Sequence, residues 1–322
     1  LPAPVQDDLM AERRLVAEDL GPMLELVPAL RQQLGHWADP VSALEQTVDR
    51  LVRELCDLGL ETARPDLRVV DRLPGPYDHP TLACVSLDSA DAIIFGLRFR
   101  NWLDADMQRF VSAFERGVPL IALRTSTHPF NIPADSKWAK YSWNSKAPWP
   151  GGFGKHVLGE TWISHWGKHK SEATRGVTEP SAASDALLRG VTDVFGDSDV
   201  YEAYPPADAR ILMRGLVLKG MSPTDVPAEQ SKPRATDKQP QGVNSPAMPI
   251  AWTRVFRNEA GKENRIFTTT LGAATDLISE GSRRVVVNAV FWGLGLDVPA
   301  AAAMASRFGV LSTGLPWAER SP

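Results

Sequence analysis

At 322 residues, with 43% hydrophobic and 23% charged side chains, the chain can bury one large α/β core or two ordinary ones. A formal net charge of −4 and the lack of any basic run exclude a phosphate-reading surface, so no nucleic-acid partner is expected. No stretch approaches the roughly 20 apolar residues of a membrane helix, which predicts a soluble chain with no membrane partner. The two cysteines, Cys56 and Cys84, are too few for a disulfide framework.

The chain opens on Leu1, and Leu-Pro-Ala-Pro suits either a cytoplasmic protein or the mature start left by a removed signal peptide, which leaves the compartment open. Residues 1–60 read as helical: Leu15, Val16, Leu20, Leu24 and Val27 recur at near-helical spacing, as do Leu44, Val48, Leu51, Val52 and Leu55. Ala92–Phe95 is a short apolar run of the kind that makes a strand covered on both faces. Asp104 is placed to cap a helix with Met107, Phe110, Val111 and Phe114 on its apolar stripe, closed by Gly117. Val118–Leu123 reads as the next strand. A helix crossing between two buried strands predicts a parallel sheet with its ligand site at the carboxyl ends of the strands. Those ends carry Arg98, Arg100 and Arg124–His128.

Residues 138–169 hold Trp138, Trp143, Trp149, Trp162 and Trp166 together with His156, His165 and His169, and glycines break the segment into turns. A strand pair is predicted at Ile211–Leu218 and Ile250–Phe256. The six prolines and polar residues of 220–249 between them read as a long loop or partly disordered insertion. Arg265–Thr270 is a final strand leading to a helix near 279–294, with Val286, Val287, Val290 and Leu294 on one face.

Two ordered blocks resemble the ThuA-like (trehalose-utilisation) family, part of the class I glutamine amidotransferase-like superfamily. The first runs from Leu87-Asp88-Ser89-Ala90-Asp91 through Arg98-Phe99-Arg100 and Leu123–His128 to Gly159-Glu160-Thr161-Trp162-Ile163-Ser164-His165-Trp166-Gly167-Lys168-His169. The second holds Pro249–Thr253, Arg265–Asp276, Asn288-Ala289 and Trp292–Gly295. The resemblance spans residues 80–298. It implies a flavodoxin-like α/β domain, doubly wound about a mostly parallel sheet, with 220–249 as an insertion. Residues 1–79 form an atypical helical segment in which the family's opening strand is not recognisable, and 299–322 form an irregular tail.

The superfamily's amidotransferases place a nucleophilic cysteine at the turn where this chain has Arg124, so the resemblance implies no thioester chemistry. A serine hydrolase built on Ser126 or Thr125 with His128 lacks a Gly-x-Ser-x-Gly elbow. His165-x-x-x-His169 would offer two metal ligands from a helix. Gly167 and the family context argue for a strand and turn, where the side chains need not converge, so no metal and no cofactor are expected. The residues expected to carry acid–base work are His128, Glu160, His165 and His169. Arg98, Arg100, Arg124, Thr125, Trp143, Trp162, Thr270 and Gly272 are expected to bind the substrate. Tryptophan rings beside polar groups suit a sugar-like small molecule, and the family implies binding or conversion of a sugar or sugar derivative. A non-catalytic carbohydrate-binding or interaction protein on the same fold is the alternative.

Overall fold

The structure is a computed structural model that describes residues 87–273 and 275–299. The predicted N-terminal helices, Cys56, Cys84 and nearly all of the C-terminal tail lie outside the described residues.

Among the described residues nine strands and two α-helices follow one another: β1 (Ile93–Phe95), α1 (Asp104–Glu115), β2 (Leu120–Leu123), β3 (Thr174–Thr178), β4 (Phe195–Gly196), β5 (Arg210–Val217), β6 (Ser231–Pro233), β7 (Pro240–Gly242), β8 (Met248–Arg257), β9 (Glu263–Thr269) and α2 (Glu280–Gly293). Seven strands form one sheet in the order β1-β2-β9-β8-β5-β3-β4, and β6 pairs with β7 apart from it. The chain is α/β with a mixed sheet. Pairs β1–β2 and β2–β9 are parallel, whereas β9–β8, β8–β5, β5–β3 and β3–β4 are antiparallel. The expected mostly parallel sheet is therefore limited to three strands. The physical reason is connection length: Asn258–Lys262 is too short for a crossover helix, so β8 and β9 must pair as a hairpin.

Both faces of the parallel strands are covered. Leu120 and Ala122 face α1 with Phe110, Phe114 and Phe153, while Ile121 and Leu123 face α2 with Val286, Ala289 and Val290. Alternation along one buried strand thus feeds two cores. Asp104 does not cap α1. Leu103 occupies that position without a side-chain bond, and Asp104 is the first helical residue, its carboxylate accepting from Trp138 Nε1 at 3.1 Å. Gly117, at φ +87°, turns the chain from α1 towards β2, a conformation that any Cβ would strain. Ser279 caps α2, accepting from the Ser282 amide.

The insertion is packed. Ala228 and Val243 are buried, Asn244 bonds the main chain of Val217 and Ala228, and β6–β7 forms a hairpin. Proline count suggested looseness because it ignores what Asn244 and Val243 anchor. No helix among the described residues is long and apolar enough to cross a membrane.

Candidate functional site

The carboxyl ends of β1, β2 and β9 lie at one edge of the sheet. The antiparallel strands bring β3's start and β4's end to the same edge, since Thr174 pairs with both Gly196 and Val217. Three chain segments therefore meet there: Arg124–His128 after β2, Glu160–His169 before β3, and Asp197–Tyr201 after β4.

Asp199 is the centre of this meeting. It is fully buried, and its Oδ1 accepts from Arg124 at 3.0 Å and from His169 Nδ1 at 2.9 Å, while Oδ2 accepts from His165 Nδ1 at 2.7 Å. A carboxylate can only accept, so each Nδ1 carries the proton, and Nε2 points away from the acid. The rings of His165 and His169 lie 4.8 Å apart, with side chains 39% and 52% exposed. One buried acid thus orients two open imidazoles.

The local chain explains how. His165 bridges Tyr201 in antiparallel fashion, and the amides of Trp166 and Gly167 both reach the Val200 carbonyl. Gly167 lies so close that a Cβ there would sit 3.3 Å from the Asp199 Cβ and the Val200 nitrogen. A turn at Lys168–Ser171 then swings His169 back beside His165. The two histidines converge without a helix, their rings 4.8 Å apart. Lys232 of β6 fixes the segment from outside, donating to the carbonyls of His165 at 2.7 Å and Trp166 at 3.2 Å.

Arg124 takes the sharp turn after β2 at φ +38°, a region that non-glycine residues rarely adopt. Its guanidinium is buried, bonds the carbonyls of Asp199 and Thr270 at 3.0 Å each, and lies 4.3 Å over the Tyr201 ring. It stands behind the imidazoles and holds Asp199. Thr270 is buried, its amide bonding Ile250, and Gly272 gives its N–H to Asp276. Ser126 is locked between the two turns, donating to the Phe95 carbonyl and accepting from the Leu97 amide. Thr125 is half-buried, its carbonyl accepting the His128 amide.

His128 is buried among Phe99, Trp162 and Tyr201 at ring distances of 4.8, 5.7 and 6.3 Å. Burial pushes its pKa down to about 3, helped by the charges of Arg98, Arg124 and His165. His128 shares Trp162 and Tyr201 with His165, whose ring lies 5.5 and 5.6 Å from theirs. Glu160 is buried and bonded to other partners. Its Oε1 takes Lys155 at 2.6 Å and the Thr161 amide, and its Oε2 takes the Tyr204 amide. Burial raises the Glu160 pKa against the pull of Lys155 and these amides. Both oxygens hold the loop's shape.

The tryptophans divide. Trp149 and Trp166 are buried and Trp138 packs against the α1-side core, whereas Trp143 and Trp162 remain half-buried at the site. Arg98 is exposed, 5.4 Å over the Phe99 ring, and Phe99 meets Trp143 at 5.3 Å. Arg100 is half-buried, its amide bonding the Pro129 carbonyl. Asp199 and Tyr201, which organise the site, escaped the sequence reading. The strand that delivers them is two residues long and leaves no periodicity to detect.

Fold and edge together define an α/β protein with a carboxylate-oriented histidine pair at the carboxyl ends of its parallel strands. No family model and no curated protein matches the chain. Its fold is similar to a solved structure from Parabacteroides merdae ATCC 43184 described as ThuA-like, 11% identical, with 79% of this chain and 87% of that one covered at TM-score 0.46. A second ThuA-like structure, from Bacteroides uniformis ATCC 8492, is 15% identical over 65% of this chain and 71% of its own at TM-score 0.39.

Proposed function

We propose that this edge binds a sugar or sugar derivative, of the trehalose or oxidised-disaccharide type, and converts it by acid–base chemistry without a cysteine nucleophile. The observation that carries the reading is the pair of half-exposed imidazoles hydrogen-bonded to one buried Asp199 beside Trp162 and Tyr201. An imidazole whose Nδ1–H is bound to a carboxylate offers Nε2 to a ligand hydroxyl, and the carboxylate stabilises the imidazolium as the proton moves. Trp143 and Trp162 offer apolar ring surface to a pyranose face, and the exposed Arg98 can donate to its oxygens. His128, held neutral, serves as wall and hydrogen-bonding group rather than as the acid. Glu160 shapes the loop that carries Trp162.

The test is a panel of disaccharides and their oxidised forms, with tryptophan fluorescence for binding and NMR of the sugar for turnover. A saturable signal that Trp162→Ala abolishes, with turnover lost in His165→Gln, is the expected result. Saturable binding with no turnover of any sugar would leave the non-catalytic alternative. Absence of binding across the panel removes the sugar reading.

A further inference from the structure

We infer that His165, His169 and Asp199 form a binding site for one divalent transition ion of the zinc class. The inference deepens the functional reading above and rests on it for the ligand, though not for the ion. The three residues offer one donor atom each, all within 4.8 Å of one another. Two histidines and a carboxylate are the donor set of catalytic zinc sites and of sites for related first-row ions, which leave positions open to solvent or substrate. The nitrogen donors select against magnesium and calcium, which prefer all-oxygen surroundings.

The present geometry is that of a site closed on itself by protons. The Nδ1–oxygen separations of 2.7 and 2.9 Å are hydrogen bonds. They are too short for neighbouring ligands on an ion whose own bonds run ~2.0–2.1 Å. An ion enters when each imidazole proton moves from Nδ1 to Nε2 and the rings swing outward by some tenths of an ångström. Both rings can do this, being 39% and 52% exposed, while Asp199 cannot move. Arg124 holds Oδ1 from behind, which leaves Oδ2 as the freer oxygen and keeps the carboxylate fixed. That guanidinium also repels a cation, so the site binds more weakly than the same three ligands would without it. Trp162 and Tyr201 stand 5.5 and 5.6 Å from the His165 ring, so a sugar held against them would bring vicinal oxygens within reach of the ion.

The experiment uses untagged protein stripped with chelator, loaded with Zn²⁺ or Co²⁺, passed over a desalting column and assayed for bound metal by elemental analysis. One ion per chain is expected, with visible Co²⁺ ligand-field bands. His169→Ala and His165→Ala, each confirmed as folded by circular dichroism, should weaken binding by at least about tenfold, as loss of a ligand or its orienting partner does. His169 is the more exposed of the two, so at least that variant keeps its fold. Sub-stoichiometric metal in the parent protein, or unchanged affinity in both variants, overturns the site. Sugar binding is measured in parallel on stripped protein. Sugar bound without any metal site ends this inference and leaves the functional reading intact, whereas a metal site with no sugar bound does the reverse.

Discussion

Asp199 shows how much one side chain can decide. Removing its guanidinium partner would leave a buried carboxylate with only imidazole donors, and an orphaned buried charge costs roughly 3–5 kcal/mol. We therefore expect Arg124→Met to lower stability by about 3 kcal/mol, the low end of that range because two N–H donors remain. Urea unfolding checks this, and a loss below about 1 kcal/mol would show that the pair is not a fixed support. His128 gives a pH signature with a definite sign. The folded protein holds it at about 3, whereas the unfolded chain takes the proton near the ordinary value of 6.5. Between those values the unfolded state binds more protons, so this contribution is complete above about pH 7 and fades as the pH falls towards 3. The slope reaches about 1.4 kcal/mol per pH unit. His128→Gln should remove that part of the slope in urea titrations run between pH 7 and pH 4, and an unchanged slope would show that His128 protonates freely in the folded state.

At the scale of elements, the sequence was most readable where apolar runs are long. Ala92–Phe95, Val118–Leu123, Ile250–Phe256 and Arg265–Thr270 all fall on observed strands within two residues at each end. The part of the sheet that the sequence does not reveal is β3 and β4, which are five and two residues long and carry no long apolar run. Pairing there is set by contacts distant in the chain, which no local pattern records. The same gap hid the site: His165 and His169 were visible as residue types, but the acid that aims them arrives on a different segment, 34 and 30 positions away. Residues 220–249 read as loose for a related reason, since polar composition says nothing of an asparagine that bonds both a strand and the segment beside it. Asn244 makes three main-chain bonds that tie the insertion to β5 and to Ala228. Asn244→Ala should cost about 1–3 kcal/mol by leaving those groups unmet. Limited proteolysis should spare 228–248 in the parent protein and cut there in the variant. Early cleavage of the parent within that span would show that the anchoring does not hold in solution.

The whole molecule places its chemistry at a seam. Parallel strands bring their carboxyl ends to one edge, as in any doubly wound sheet, and antiparallel strands add two further segments to the same edge. The turn after β2 lies at that seam, at the carboxyl end of a parallel strand. Arg124 occupies the turn, with its side chain folded inwards onto Asp199, Thr270 and Tyr201 rather than outwards. The hydroxyl two residues on, Ser126, is spent on the main chain of Phe95 and Leu97. The edge thus presents imidazole nitrogens and aromatic faces, and neither a thiolate nor a free serine oxygen stands at the turn. Covalent acyl transfer from an amide has no attacking group there, so we expect no ammonia release from glutamine at any pH between about 6 and 9. Iodoacetamide treatment should leave the sugar binding proposed for this edge unchanged, because none of the described groups that form it is a thiol. The assay is coupled ammonia detection before and after alkylation, alongside the fluorescence titration. Glutamine-dependent ammonia release abolished by the reagent would mean that a cysteine elsewhere in the chain reaches this edge, and the seam would then have to be read as the remnant of an amidotransferase site rather than as a histidine–carboxylate centre.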